Sequence, residues 1–209
     1  MNAIYSLDRE RGLLFDAQGR RFDARQRVWA KRRTRSSGEA VDALAASAWL
    51  QRESGSPLRV PVGVIGPREA SRRQQHCAEM VGRGLARMGL AVICGGRQGV
   101  MEAVCRGVSS EGGVAIGMLP EADPASANPH VGIIIATGIG EARNALIARA
   151  SFCLVVIGDS YGTLSEVALG LQFGKKVIGL EGAANVVGIV QVASHAAALN
   201  EVAQAVLAA

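Results

Sequence analysis

From Arg59 onward, short runs of wholly apolar residues alternate with longer stretches in which apolar positions recur every three or four residues. Residues 60–65, 90–94, 114–119, 132–135, 152–157 and 176–180 are the apolar runs. Their β-branched content and lack of in/out alternation predict strands, with residues 152–157 a strand buried on both faces. Between them the spacing predicts helices. One runs from the capping-box pattern Ser71-Arg72-Arg73-Gln74 towards Met88 and ends at Gly89. Another passes through Met101, Val104 and Cys105, and a third carries Leu146, Ile147 and Ala150. A fourth carries Leu164, Val167, Ala168 and Leu171, and the last is a long apolar-faced helix over residues 186–208, broken near Ser194. Regular alternation of this kind predicts right-handed crossovers. The fold class is therefore α/β: a Rossmann-like, doubly wound, mainly parallel sheet with helices on both faces.

Residues 1–58 follow a different pattern. Residues 12–22 read as a small hairpin turning near Ala17-Gln18-Gly19. A helix introduced by Ser36-Ser37-Gly38-Glu39 follows, with Val41, Leu44, Ala45, Ala48 and Trp49 turned inward. Ser54-Gly55-Ser56-Pro57 reads as a linker. The expected division is thus a basic N-terminal extension, 1–58, and a Rossmann domain, 59–209. The extension holds Arg20, Arg21, Arg25, Arg27, Lys31, Arg32, Arg33 and Arg35. Such a run reads first as a solvated arm and only second as a nucleic-acid surface, since Phe22 and Trp29 are the sole aromatics near it.

Composition changes the picture little. The 209 residues are 49% hydrophobic but only 4% aromatic, so Ala, Val, Ile and Leu must build the core. A formal net charge of +5 suits an anionic ligand without requiring one. Cys77, Cys94, Cys105 and Cys153 have no C-x-x-C spacing, and the three histidines form no metal-binding set, so no metal is expected. Free thiols in apolar runs suit a reducing, cytoplasmic setting. A charged N-terminal stretch and the lack of a long apolar run give no expectation of secretion or of a membrane partner.

Candidate chemistry gathers where strands end. Glycine-rich turns at Gly66, at Gly95, Gly96 and Gly99, at Gly138 and Gly140, and at Gly158 and Gly162 each close a predicted strand. In a parallel α/β sheet ligands lie at those carboxyl ends. Helix N-termini after such turns favour anions, so a phosphate is expected near the amides of Gly162, Thr163, Gly99, Val100 and Met101. Thr163-Leu164-Ser165-Glu166 is also a capping-box pattern, which would account for Thr163 and Glu166 by helix stability alone. G-x-x-x-x-G-K-[ST] is absent, which excludes a Walker loop. Gly138-Ile139-Gly140-Glu141-Ala142-Arg143 begins like a dinucleotide fingerprint but ends in Arg, so NAD is not expected. An arginine early in a helix opposes the dipole. Arg143 therefore faces either a bound anion or a carboxylate, Glu141 or Glu166. The polar segment 120–129 is either a lid or an irregular connection.

The string Thr137-Gly138-Ile139-Gly140-Glu141-Ala142-Arg143-Asn144, with Gly95-Gly96-Arg97-Gln98-Gly99-Val100-Met101 and Gly158-Asp159-Ser160-Tyr161-Gly162-Thr163-Leu164-Ser165-Glu166, resembles the LOG-like Rossmann superfamily. That group includes the Lonely Guy phosphoribohydrolases, long labelled lysine decarboxylases, and the molybdenum cofactor carrier proteins. Lonely Guy enzymes carry Pro-Gly-Gly-x-Gly-Thr-x-x-Glu and an Arg-Lys pair. Here Ile157, Asp159 and Asn144 depart from those patterns, which removes a cation, adds an anion and leaves Arg68 and Arg97 to compensate. The Arg-Asn form and Tyr161-Gly162-Thr163-Leu164-Ser165-Glu166 look closer to the carrier branch. The resemblance implies binding of a phosphorylated heterocycle, a nucleotide or a molybdenum cofactor as cargo, and a homodimer or larger homo-oligomer. It also implies ligand contacts from the glycines named, Val100, Met101, Arg143, Asn144, Ser160, Tyr161, Thr163 and Glu166. The alternative it carries is hydrolysis of a nucleoside 5′-monophosphate, with Arg143 and Glu166 catalytic.

Overall fold

The computed structural model describes residues 5–33 and 38–208, the side chains of 31–33 excepted; Arg35, Ser36 and Ser37 lie outside the described residues. The chain divides into two compact units, one of residues up to 58 together with those from 200 on, the other of residues 59–199.

In the first unit, β1 (Tyr5–Asp8), β2 (Leu13–Phe15), β3 (Arg20–Asp23), β4 (Val28–Arg33) and β5 (Glu39–Val41) form an antiparallel sheet in the order β4-β3-β2-β1-β5. The hairpin expected at Ala17-Gln18-Gly19 is present. The Asp16 carboxylate accepts from the amides of Gln18 and Arg20, and Gly19 turns at φ 73°. The basic run is not a loose arm, because Arg20, Arg21, Arg25 and Arg27 lie in or between β3 and β4. Phe22 is buried while Arg20 and Arg21 both face out, where the pairing of β3 with β4 shifts register between Arg20 and Phe22. The helix α1 (Ala43–Arg52) starts at an Asp42 cap, later than expected, because Glu39–Val41 pairs with β1. Its buried face is therefore Ala43, Ala46, Trp49 and Leu50 rather than Leu44, Ala45 and Ala48.

The second unit holds β6 (Val62–Ile65), α2 (Arg72–Arg87), β7 (Val92–Cys94), α3 (Val100–Ser110), β8 (Ala115–Leu119), β9 (Ile133–Ala136), α4 (Asn144–Ala150), β10 (Cys153–Ile157), α5 (Tyr161–Gln172), β11 (Lys176–Leu180), β12 (Ile189–Gln191) and the start of α6 (His195–Ala208). The order is β12-β11-β10-β6-β7-β8-β9, and every neighbouring pair is parallel. The six expected strands are all present. A seventh, β12, replaces the first part of the expected last helix. Only three residues long and set at the sheet edge, it carries too little pattern to announce itself.

The Ser71 cap of α2 forms as expected, with Gln74 reciprocating. α2 and α3 approach so closely that a Cβ on Gly82 would meet the Val104 carbonyl at 2.4 Å, and one on Gly107 the Glu79 carbonyl at 2.1 Å. Ile65, Ile93, Met118, Ile147, Ala148, Leu154, Val156, Val167 and Val177 form a continuous apolar cluster. All four cysteines are free and buried, Cys94 and Cys105 with their sulfurs 3.5 Å apart. No described helix is long and apolar enough to cross a membrane.

The chain runs outward from β6 through β7 and β8 to β9, then returns to place β10 on the other side of β6. The sheet thus has its topological switch point between β6 and β10, where an α/β sheet opens a crevice at its carboxyl edge. The turns there are fixed by backbone contact. Gly99 adopts φ 72°, and a Cβ on it would meet the Arg68 carbonyl oxygen at 2.2 Å. The Val100 amide donates to the Pro67 carbonyl. We expect Gly99→Ala to lower stability by about 2 kcal/mol or more, since it combines left-handed strain with a backbone clash. Urea unfolding of the full chain measures this, and an unchanged midpoint contradicts it.

Candidate functional site

At the switch point lies a cavity of about 560 Å³. Each wall is the end of a strand. β6 supplies Ile65 and the turn Gly66-Pro67-Arg68-Glu69, and β7 is followed by Gly95 and Arg97. Met101 comes from the first turn of α3. Glu141, Arg143 and Asn144 come from the segment after β9. Asp159, Ser160, Gly162, Thr163 and Glu166 come from the turn and helix after β10.

The floor is a buried ion pair. Arg143 and Glu166 are 4% and 6% exposed, and the Arg143 Nη1 lies 3.3 Å from the Glu166 Oε1. The same Nη1 donates to the Asn144 Oδ1 at 2.7 Å. The Asn144 Nδ2 in turn donates to the Ser165 Oγ at 2.9 Å, so Asn144 braces the guanidinium against the first turns of α5. Gly95 leaves the space for this arrangement, because a Cβ there would stand 2.7 Å from the Arg143 Nη2. The Arg143 Nε is buried with no hydrogen-bond partner in the protein. Of the two possibilities left open for Arg143, the carboxylate is present: it pairs with Glu166, more loosely with Glu141 at 3.9 Å, and keeps one donor unspent.

Burial pushes the Glu166 carboxyl up to about 7. The Arg143 charge pulls it down and the Glu141 charge adds to the rise. Desolvation outweighs the ion pair, as it does when charges are sealed away from water with few further hydrogen bonds. A carboxyl near neutrality can donate, accept or exchange a proton at ordinary pH.

Arg97 is anchored at the rim by Glu121, with Glu141 at 3.6 Å. Burial first, then the neighbouring Arg68 charge, lowers its pKa. Arg68 is exposed and donates to the Gln98 Oε1. Arg68 and Arg97, considered in the sequence as replacement cations, are thus both on the cavity wall. They share it with Glu69, Glu141 and Asp159, so the wall is mixed in charge rather than strongly basic.

Of the residues expected at the site, Gly66, Gly95, Met101, Arg143, Asn144, Ser160, Gly162, Thr163 and Glu166 meet around this cavity. Gly96, Gly99, Val100, Gly138, Gly140, Gly158 and Tyr161 are not among its lining. Gly96 packs against Gly117, Gly138 against Ala122 and Gly158 against the Gln74 side chain, while Tyr161 is 95% exposed. The capping-box reading of Thr163 and Glu166 is corrected. α5 begins at Tyr161 and its cap is Ser160, whose Oγ accepts from the Thr163 amide at 3.1 Å, so Glu166 is an interior helical residue facing the cavity. That bond and the Val100–Pro67 bond occupy two amides expected to meet phosphate. Of the other three, Gly162 and Met101 line the cavity, in first helical turns whose amides have no acceptor within the helix, and Gly99 does not line it. The segment 120–129 is a pinned connection and not a lid over this cavity. Asn128 bonds the carbonyls of Gly96 and Arg97, and no residue of the segment lines the cavity. Glu69 escaped the sequence reading, although it closely follows the strand-end turn at Gly66-Pro67. Among the described residues no group of three or more His, Cys, Asp or Glu side chains could hold a metal ion.

Fold and cavity together define a Rossmann-like α/β domain with a crevice at its switch point. The chain belongs to the SLOG cluster4 family, whose pattern it matches over residues 59–207. Among solved structures it is similar to the molybdenum cofactor binding protein from Rippkaea orientalis, at 30% identity and a TM-score of 0.66, covering 70% of this chain and 98% of that one. The molybdenum cofactor carrier protein from Chlamydomonas reinhardtii is 32% identical with a TM-score of 0.65, over the same shares of the two chains. An uncharacterized protein of Archaeoglobus fulgidus is 40% identical over 120 residues, 57% of this chain and 79% of its own length.

The Glu166 carboxyl gives the site a pH signature. Its folded-state pKa, about 7, stands above the ordinary 4.5. The stability it contributes is whole below about 4.5 and is lost as pH rises through about 7. Between pH 5 and 8 wild type should lose about 2–3 kcal/mol relative to Glu166→Gln, at 1.36 kcal/mol per pKa unit. Urea unfolding of both proteins at the two pH values tests this, and parallel pH profiles contradict it.

Proposed function

We propose that this protein binds a phosphorylated heterocycle in the switch-point cavity and carries it, with a molybdenum cofactor of the pterin type as the favoured cargo. The observation that supports this most is the braced Arg143, buried on the cavity floor with its Nε unspent. A donor of that kind calls for an acceptor from a ligand, because an unpaired buried donor is costly. Phosphate would meet the Gly162 and Met101 amides and Arg68 or Arg97 at the rim, and Glu166 would bond a ring nitrogen or hydroxyl. The carrier reading leans on the names of the two similar structures and on Asn144, which clamps Arg143 where a Lonely Guy enzyme has Lys. We also propose a homo-oligomer, supported by Leu146 on α4 and Leu164 on α5, both exposed beside the site. A cytoplasmic setting is supported by four free thiols.

The second reading is phosphoribohydrolase chemistry, favoured by a Glu166 carboxyl near 7 next to a guanidinium. In that reading Glu166 exchanges a proton with water or the leaving base while Arg143 stabilises the charge on the sugar phosphate.

Calorimetry of the full chain with the phosphorylated pterin and with AMP tests the first reading. We expect binding of the pterin, weakened about 10- to 100-fold by Arg143→Ala, as for loss of a hydrogen bond to a charged group. Absence of heat from folded protein contradicts it. Release of free base and ribose 5-phosphate from AMP above the level of Glu166→Gln would establish the second.

A further inference from the structure

We propose that the Glu141 carboxylate holds the place of the ligand's anionic group, and that a ligand enters by displacing it from Arg97 and Arg143. One Glu141 oxygen lies 3.6 Å from the Arg97 Nη1, and the other lies 3.9 Å from the Arg143 Nη2. A single carboxylate thus straddles two guanidiniums contributed by different strand ends, both facing the same cavity. The two arginine side chains are 19% and 5% exposed, whereas that of Glu141 is 67% exposed. A largely exposed anion therefore sits over two mostly buried cations.

Both contacts are longer than hydrogen bonds, so the attraction is electrostatic and screened by water. A phosphate oxygen at hydrogen-bonding distance would gain more from the same two groups. The Arg143 Nε, buried without a partner, is a third donor that Glu141 leaves unused.

Release needs no backbone movement. Glu141 lies in the helical turn Gly140–Arg143, tied down by the Gly138 and Gly140 amides on the Glu121 and Pro120 carbonyls, while its side chain is largely open to solvent and can swing away. Glu141 thus acts as an internal competitor. A weak or singly charged anion does not repay its displacement, so the device selects for ligands with a highly charged phosphate.

This inference rests on the reading that an anion enters this cavity, and the experiment separates the two. The full chain is titrated calorimetrically with inorganic pyrophosphate and, separately, with the phosphorylated pterin. Wild type, Glu141→Gln and Glu141→Gln combined with Arg97→Ala are compared at low and high salt. Glu141→Gln should bind pyrophosphate about five-fold tighter, the effect of removing one screened charge beside a polyanion. The gain should shrink with salt and vanish in the double variant. The thermal stability of Glu141→Gln should stay close to wild type, because Glu141 is itself largely exposed and both contacts it gives up are long. Wild type that binds the pterin, with Glu141→Gln no tighter for either probe, overturns the placeholder and leaves the site reading intact. No binding of either probe by wild type or Glu141→Gln overturns both.

Discussion

A buried guanidinium and carboxyl at the meeting point of four strand ends govern this structure. Arg143 reaches that point from the far side of the sheet, because the chain crosses to β9 before it returns. Glu166 reaches it from the second turn of α5. The two meet only because β6 and β10 are neighbours, and Arg143 fits only because residue 95 has no side chain. The glycines and the strand order are thus conditions for one contact.

A contact of that kind is weak evidence of added stability. Replacing a sealed ion pair by apolar groups of similar volume is often neutral or favourable. Here the ion pair leaves Glu166 raised to about 7 and one arginine nitrogen without a partner. Such a state persists when a third participant completes it or when its reactivity is used. Binding and acid–base chemistry are the two ways to use it, and they differ in what arrives from solvent rather than in the residues that wait.

Much of the fold was legible because its signals are local. Six β-branched runs became six strands, and the Ser71 capping box formed as written. What escaped was decided by pairing between distant segments. Glu39–Val41 became a strand because β1 offered it an edge, and the face of α1 rotated accordingly. β12 has three residues and an edge position, too short for periodicity to separate from the helix that follows. At the site, Gly66, Gly95, Arg143 and Glu166 were legible from their place after strands. The use of the Thr163 amide by Ser160 was not, because Thr163 and Glu166 offered an equally good cap pattern three residues later. Mixed charge on the cavity wall also depends on which carboxylates fold towards it, as Glu69, Glu141 and Asp159 do.

The most direct test of this account is the titration of the Glu166 carboxyl itself, followed by carbon-13 NMR on selectively labelled, ligand-free protein and assigned through Glu166→Gln. A midpoint near about 7 is the predicted result. A midpoint in the ordinary range of a solvated glutamate, near about 4.3, would mean that water reaches the pair and that the floor of the cavity is not the poised, buried contact described.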